Sequence, residues 1–386
     1  NSPASRRDNP SNWEAVLWHE FCHVITLELT QNKIPRWLSE GISVYEELQQ
    51  NSSWGQRMDP RSREHILNDG LTPLGKLSSA FMRPESGWHL QFAYFESAMA
   101  VDFLVQNFGP DALREVLGDL KLGLPVNVAL DRRCDALSEL ETRFEAFAKK
   151  RAESLAPNVD WDPPNLEELL AEGDGALEAW VKEHPENFVG LMALAQRQLA
   201  AKKWNDAAPT LKQLISIYPT YIGGDNSYER LATVNQKLER VAEERTVLEQ
   251  FVAINDDAVS ANLRLMDLQT AASDWPALEQ TAARLFAIDP LLDQSHSIRA
   301  TVAEKRDQPS VASRALSRLL LLDPDDPADI HFRLAKSLHA QGRMEDAKRQ
   351  TLMALEEAPR FRDAHQLLLK LVKQKSPSQP PVATPK

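Results

Sequence analysis

The run H-E-F-C-H at residues 19 to 23 combines the residue types and the spacing that can hold a divalent metal and act on water. On a helix of about 3.6 residues per turn, His19 and His23 project within about 40° of each other, so both imidazoles can reach one ion. Glu20 lies about 100° round from His19, beside such an ion and not on it. That is where a base acting on water belongs. The same spacing also describes a helix with two half-buried, hydrogen-bonded histidines, so the chemistry depends on a third ligand.

The following segment, P-R-W-L-S-E-G-I-S-V-Y-E-E at 35 to 47, offers one. Trp37, Gly41, Val44 and Leu48 mark the buried stripe of a second helix and put Glu40 about one turn past its start. Two antiparallel helices with a short connection bring Glu40 back beside the histidines, where its carboxylate completes a two-His, one-Glu zinc site with the fourth position open. H-E-x-x-H followed by W-L-x-E-G-x-x-x-Y resembles the gluzincins, the zinc peptidases that include the aminopeptidase N group and the peptidase MA-like proteins. The likeness continues more weakly through L-T-P-L-G-K-L at 71 to 77 and F-A-Y-F-E-S-A-M-A-V-D-F-L-V-Q-N-F-G at 92 to 109, to about residue 150.

The resemblance implies Zn2+ held by His19, His23 and Glu40, with a peptide or protein as substrate and Glu20 as general base. It also leans towards a bacterial extracytoplasmic location. Tyr94, in Q-F-A-Y-F-E-S, matches a tyrosine of peptidase MA-like relatives and is either an oxyanion donor or an amphipathic core residue. Three departures stand out. The spacing from His23 to Glu40 is short for an aminopeptidase relative. Val44 occupies the place of a ligand-orienting aspartate in the thermolysin-like branch, which leaves Ser43, Glu46 and Glu47 as alternatives. Gluzincins also build their cleft against a sheet upstream of H-E-x-x-H, and none of the eighteen residues before His19 reads as a strand.

Several other groups carry two readings. His89 is a polariser, a substitute ligand, or neither. Glu28 and Asp102 either orient a histidine or lie in ordinary surface positions. Cys22 falls off the metal face as a small buried residue, and the histidines from His184 onward, without ligand spacing, read as solvated.

Helices must position these groups. S-N-W-E at 11 to 14 reads as a capping box, with Ser11 and Glu14 satisfying free amides, so a helix starts there and runs to about residue 30. Leu17, Phe21, Val24 and Ile25 fall opposite the histidines and are expected to form its buried back. Pro35 opens the second helix, which runs to about residue 50, because the first turn has no partner for the missing N–H. A mixed, turn-rich stretch to about residue 87 precedes a helix over 91 to 107, ended by Gly109-Pro110, and a further helical segment over 137 to 152.

The stretch A-P-N-V-D-W-D-P-P-N at 156 to 165 has three prolines and marks a linker after a first domain of residues 1 to 155. Beyond it Pro185, Pro219, Pro290, Pro324 and Pro359 follow helical stretches at intervals of 34, 71, 34 and 35 residues, the 71 being two units. A period near 34 is that of tetratricopeptide (TPR) repeats, so 166 to 374 reads as a TPR-like α-solenoid of about five repeats, with a protein or peptide partner on its concave face. Small residues recur at the close contacts, with Ala195, Ala300 and Ala335 in first helices and Ala207, Ala312 and Ala347 in second ones. The unit ending near 257 lacks the proline. Residues 1 to 10 and 375 to 386 read as an unstructured lead-in and tail.

With 42% hydrophobic and 26% charged residues the chain has globular composition, and a formal charge of -12 without long basic runs argues against nucleic acid. No apolar run is long enough to span a membrane. Cys22 and Cys134 make no disulfide framework. Asn1 opens the chain without an apolar leader, as in a chain processed upstream. The expected fold is mainly α: a zincin-like helical metallopeptidase domain, its upstream sheet missing, followed by a TPR α-solenoid. The alternative function is a TPR scaffold whose zincin-like domain is structural or inactive.

Overall fold

The computed structural model describes residues 12–171, 173 and 175–374. The expected lead-in, the Ser11 cap and the tail from 375 lie outside the described residues. The described chain divides into two compact units, 12–258 and 259–374. Both are helical, and the β-type pairing among the described residues is an isolated bridge between Asp160 and Asn187.

In the first unit α1 spans Trp13–Thr30 and α2 Arg36–Gln50. Asn12 caps α1 with its side-chain oxygen, which accepts from the Ala15 amide at 3.1 Å, and Pro35 precedes α2 in extended conformation. The stretch expected to be turn-rich contains α3 (Pro60–Leu67), a 3-10 turn (Leu74–Lys76) and α4 (Leu77–Met82). Elements this short carry too few apolar positions for a period to be read. α5 runs from Gly87 to Lys121, longer than expected at both ends. Gly109 does not terminate it. At φ 81°, ψ 164° it kinks the helix, and Pro110 then occupies the start of the continuing segment, where no donor is needed. α6 (Val126–Arg133) and α7 (Leu137–Glu153) complete this group.

Trp37 and Leu38 of α2, Ile66 of α3, Leu74, Leu77, and Phe92, Ala100 and Phe103 of α5 form one apolar core, joined by Leu130, Leu140 and Phe144 from α6 and α7. Gly41 allows α2 and α5 to approach closely: a Cβ at this position would sit 2.6 Å from the Ser97 carbonyl oxygen. α1 rests on α2 and α5 through Ala15, Cys22, Thr26 and Thr30. Its expected buried back is corrected. Leu17, Phe21 and Val24 are each more than half exposed, and Ile25 is exposed as well. Both helices that pack on α1 lie on its histidine side, and nothing among the described residues covers the other.

After the irregular segment 156–165, which opens on a turn, come α8 (Leu166–Ala171), α9 (Ala176–Glu183) and two helix pairs, α10 (Phe188–Ala200) with α11 (Trp204–Ile217) and α12 (Ser227–Lys237) with α13 (Val241–Val252). The second of these is the unit without a proline, and it forms a regular pair. In this same compact unit the loop after α13 reaches the ends of α1 and α2. Asp257 accepts from the Asn12 amide and Asp256 from the Asn51 side chain, each at 2.6 Å.

The second unit holds α14 (Val259–Ala271), α15 (Trp275–Ile288), α16 (Asp293–Lys305), α17 (Pro309–Leu319), α18 (Pro327–Ala340), α19 (Met344–Glu357) and α20 (Arg362–Gln374). Ala195, Ala207, Ala300, Ala312, Ala335 and Ala347 are all fully buried in their units, as close helix contacts require. The later histidines are not uniformly solvated. His296 is buried and donates from Nε2 to the Pro290 carbonyl at 2.9 Å, while His331 is buried against Gln350. A hydrogen bond within the unit satisfies one ring nitrogen of each.

Glu96 of α5 is fully buried. One carboxyl oxygen accepts from the Thr72 amide at 2.6 Å and the other has no hydrogen-bond partner. Burial, opposed by Thr72, pushes its carboxyl up to about 8. The folded protein therefore holds this proton between the ordinary carboxylate range and pH 8, where the unfolded chain has released it. Stability falls as pH rises through that window and levels off above it. Thermal unfolding from pH 5 to 9 is expected to show this decline, with Glu96→Gln much flatter and about 2–4 kcal/mol more stable than the parent at pH 9. Equal slopes would mean that Glu96 does not hold the proton. Gly41→Ala is expected to cost about 1–3 kcal/mol in the same assay, since α2 and α5 must separate.

Candidate metal centre

α1 and α2 bring His19, His23 and Glu40 together. Glu40 Oε2 lies 3.3 Å from His19 Nε2 and 3.2 Å from His23 Nε2, and one donor atom from each of the three residues fits within a 4.8 Å span. A metal bound tetrahedrally at about 2.0–2.1 Å separates neighbouring ligand atoms by about 3.3–3.4 Å, so the donor set and its spacing fit zinc. The three side chains are 12–21% exposed, as a site open on one side requires.

The outer nitrogens of both imidazoles are held in place. His19 Nδ1 donates to Glu47 Oε1 at 2.8 Å, and Glu47 is buried. His23 Nδ1 lies 2.8 Å from the Ser39 hydroxyl and 3.3 Å from that of Ser43. Ser39 continues to Thr26 Oγ1 at 3.3 Å, which donates to the His23 carbonyl at 3.2 Å, while Ser43 donates to the His19 carbonyl. With each Nδ1 engaged, the Nε2 lone pairs are directed at the shared point. Among the alternatives at the Val44 position, Glu47 and Ser43 touch the histidines and Glu46 does not.

Charge at this point is unbalanced in the direction that attracts a cation. Burial disfavours charge on Glu40, but hydrogen bonds from His19 and His23 outweigh it and hold the carboxyl below its usual range. Burial likewise opposes a proton on His19, but Glu40 and Glu47 raise it to about 9. Two carboxylates thus keep a positive charge among them, and a metal ion would compete with a proton for the same place.

Tyr94 of α5 reaches this cluster, donating to Glu40 Oε1 at 3.4 Å. Arg36, which the sequence did not single out, donates from Nε to the same oxygen at 3.3 Å and from Nη2 to the Tyr94 hydroxyl at 3.2 Å. Ser39 was also missed. Their signals were positional: Arg36 is four residues before Glu40 on one helix face, and Ser39 and Ser43 are four apart. Glu20 is exposed on α1 and has no hydrogen bond or ion pair among the described residues. Cys22 is buried.

The structure does not bring His89, Glu28 or Asp102 to the centre. His89 bonds Ser86 at 3.0 Å and sits among His65 and Trp88, Glu28 is exposed, and Asp102 pairs with Arg151. Each lies on a helix face or turn rotated away from α1's histidines, which spacing along the chain alone did not decide.

Residues 8–149 match the family model of the Peptidase MA superfamily, so this part of the chain is Peptidase MA-like. Among curated proteins none matches. Solved structures similar to the chain include YrrB, described as a TPR protein with an unusual peptide-binding site, at 12% identity and TM-score 0.36, covering 51% of this chain and 98% of that one. A MamA fragment from Desulfovibrio magneticus RS-1 aligns at 13% identity and TM-score 0.32, covering 48% and 94%. PilW, a type IV pilus biogenesis factor, aligns at 17% identity and TM-score 0.31, covering 50% and 88%. No helix among the described residues is long and apolar enough to cross a membrane.

Removing the carboxylate behind His19 tests the arrangement. Glu47→Gln is expected to weaken zinc binding about 10–100-fold in competition with a chromogenic chelator, and Glu46→Gln to leave it unchanged within about twofold. Equal effects from the two would mean that Glu47 does not orient His19.

Proposed function

We propose that this chain is a zinc-dependent peptidase whose TPR-like repeats bind a peptide or protein segment. The observation that carries this reading is the convergence of His19 Nε2, His23 Nε2 and Glu40 Oε2, with the carboxylate of Glu20, unpaired among the described residues, next to His19 on the same helix. Bound zinc supplies Lewis-acid chemistry, polarising the scissile carbonyl and making water more acidic. Glu20 takes the proton of the attacking water and returns it to the leaving amine. Tyr94, its hydroxyl already next to Glu40, donates to the oxygen on which negative charge develops. Glu47, Ser39 and Ser43 keep the imidazoles in the tautomer that leaves Nε2 free.

Metal analysis with peptide hydrolysis tests the proposal on the full chain. The wild type is expected to hold one zinc and cleave peptides. Glu20→Ala should keep the zinc and lose at least about a hundredfold in kcat, the contribution of a positioned acid–base group. His23→Ala should lose the metal and the activity together. Zinc in both the wild type and Glu20→Ala without turnover in either would replace the peptidase by a scaffold with a structural metal.

A further inference from the structure

Arg36 sits where the outer oxygen of Glu40 meets the hydroxyl of Tyr94. Three contacts hold its guanidinium: the two hydrogen bonds at 3.3 and 3.2 Å, and the face of Phe81, 5.1 Å from the ring centre. Phe81 in turn packs edge-on against Tyr94, with centroids 5.2 Å apart, so the platform is rigid. The Arg36 side chain is nonetheless 54% exposed, against 12% for Glu40. Its Nη1 makes no hydrogen bond among the described residues.

Neutralising Glu40 does not account for this arrangement. The carboxylate already has both histidines on Oε2, and a half-exposed ion pair four residues apart on a helix contributes little stability. A long cation fixed on an aromatic face, with one edge of its fork unused, is built for a planar anion. The carboxylates around the donor atoms, Glu40, Glu47 and the neighbouring Glu20, repel an anionic substrate group, and Arg36 offers it a half-exposed cation beside them.

We propose that Arg36 is a specificity-determining residue that binds a carboxylate of the peptide substrate close to the scissile bond; this rests on the peptidase reading. The carboxylate comes from one of two sources, the carboxyl terminus of the peptide or an acidic side chain. In either case the unused N–H groups donate to its two oxygens, and the substrate's anionic end is placed beside Tyr94.

Binding without turnover tests this on the full-length Glu20→Ala protein, zinc-loaded, by fluorescence anisotropy. Three labelled probes are compared: tetra-alanine with a free carboxyl terminus, its amide, and the amide of tri-alanine-glutamate. One carboxylate probe is expected to bind about tenfold more tightly than the neutral amide, the scale of a charge-assisted hydrogen bond. The free acid identifies a chain terminus and the glutamate probe an acidic side chain. Arg36→Gln should bring the ratio near one with zinc content unchanged, and Arg36→Lys should restore part of it. Equal binding of all three probes, absence of binding, or a preference that survives Arg36→Gln would overturn the proposal. So would zinc loss in Arg36→Gln, which would assign Arg36 to holding Glu40. Hydrolysis by the chain with wild-type Glu20 is read separately. A carboxylate preference without cleavage keeps Arg36 and removes the peptidase, and cleavage without a preference does the reverse.

Discussion

The Glu40 carboxylate is the point on which the N-terminal domain's site depends. One oxygen faces two imidazoles of α1 and the other takes hydrogen bonds from Arg36 and Tyr94, so three helices meet on one anion. α1 is attached to its neighbours largely by this polar set, because most of its large apolar side chains point away from α2 and α5. In a half-buried setting these contacts are stronger than on open surface, and leaving any of them unmade costs more. The group that would hold the metal and the group that locks α1 to α2 are therefore the same.

That geometry needs α2 at a fixed depth. Gly41, one residue after the motif glutamate, lets α2 approach the backbone of α5 at Ser97, and Trp37 and Leu38, about one turn earlier on α2, are buried in the core that α5 shares. A bulkier residue would lift Glu40 from the histidines and Tyr94 at once. The ends of α1 and α2 are tied as well. Asp257 and Asp256, from the loop closing the second helix pair, bind Asn12 and Asn51, so the first repeats are part of the support of the site's helices.

Much of the site was legible because a helix repeats at a fixed angle. His19 and His23 share a face for that reason, and Pro35 and the Trp37 stripe locate Glu40 in the turn that follows. The 34-residue period of the repeats was legible too, from the proline spacing and from the buried alanines that three of the helix pairs place at the same positions. Arg36 and Ser39 escaped notice because neither type is diagnostic of a metal site, and their meaning comes from the atoms opposite them. Tyr94 carried two readings in sequence, and the structure gives it a feature of each, with its ring packed against the core and its hydroxyl at Glu40.

The sequence by itself determined the helices that carry the donors, the face on which the histidines lie and the period of the repeats. All of these follow from local dihedral preference and apolar spacing. Tertiary structure decided that Glu47 and not Glu46 backs His19, that Gly109 kinks α5 instead of ending it, and that none of the described residues covers the apolar side of α1. Adjacent helical residues differ by about 100° in direction, so choosing between them requires the rotation of α2 against α1. The depth of α2 is likewise decided between residues far apart in the chain, by the contact of Gly41 with Ser97 of α5.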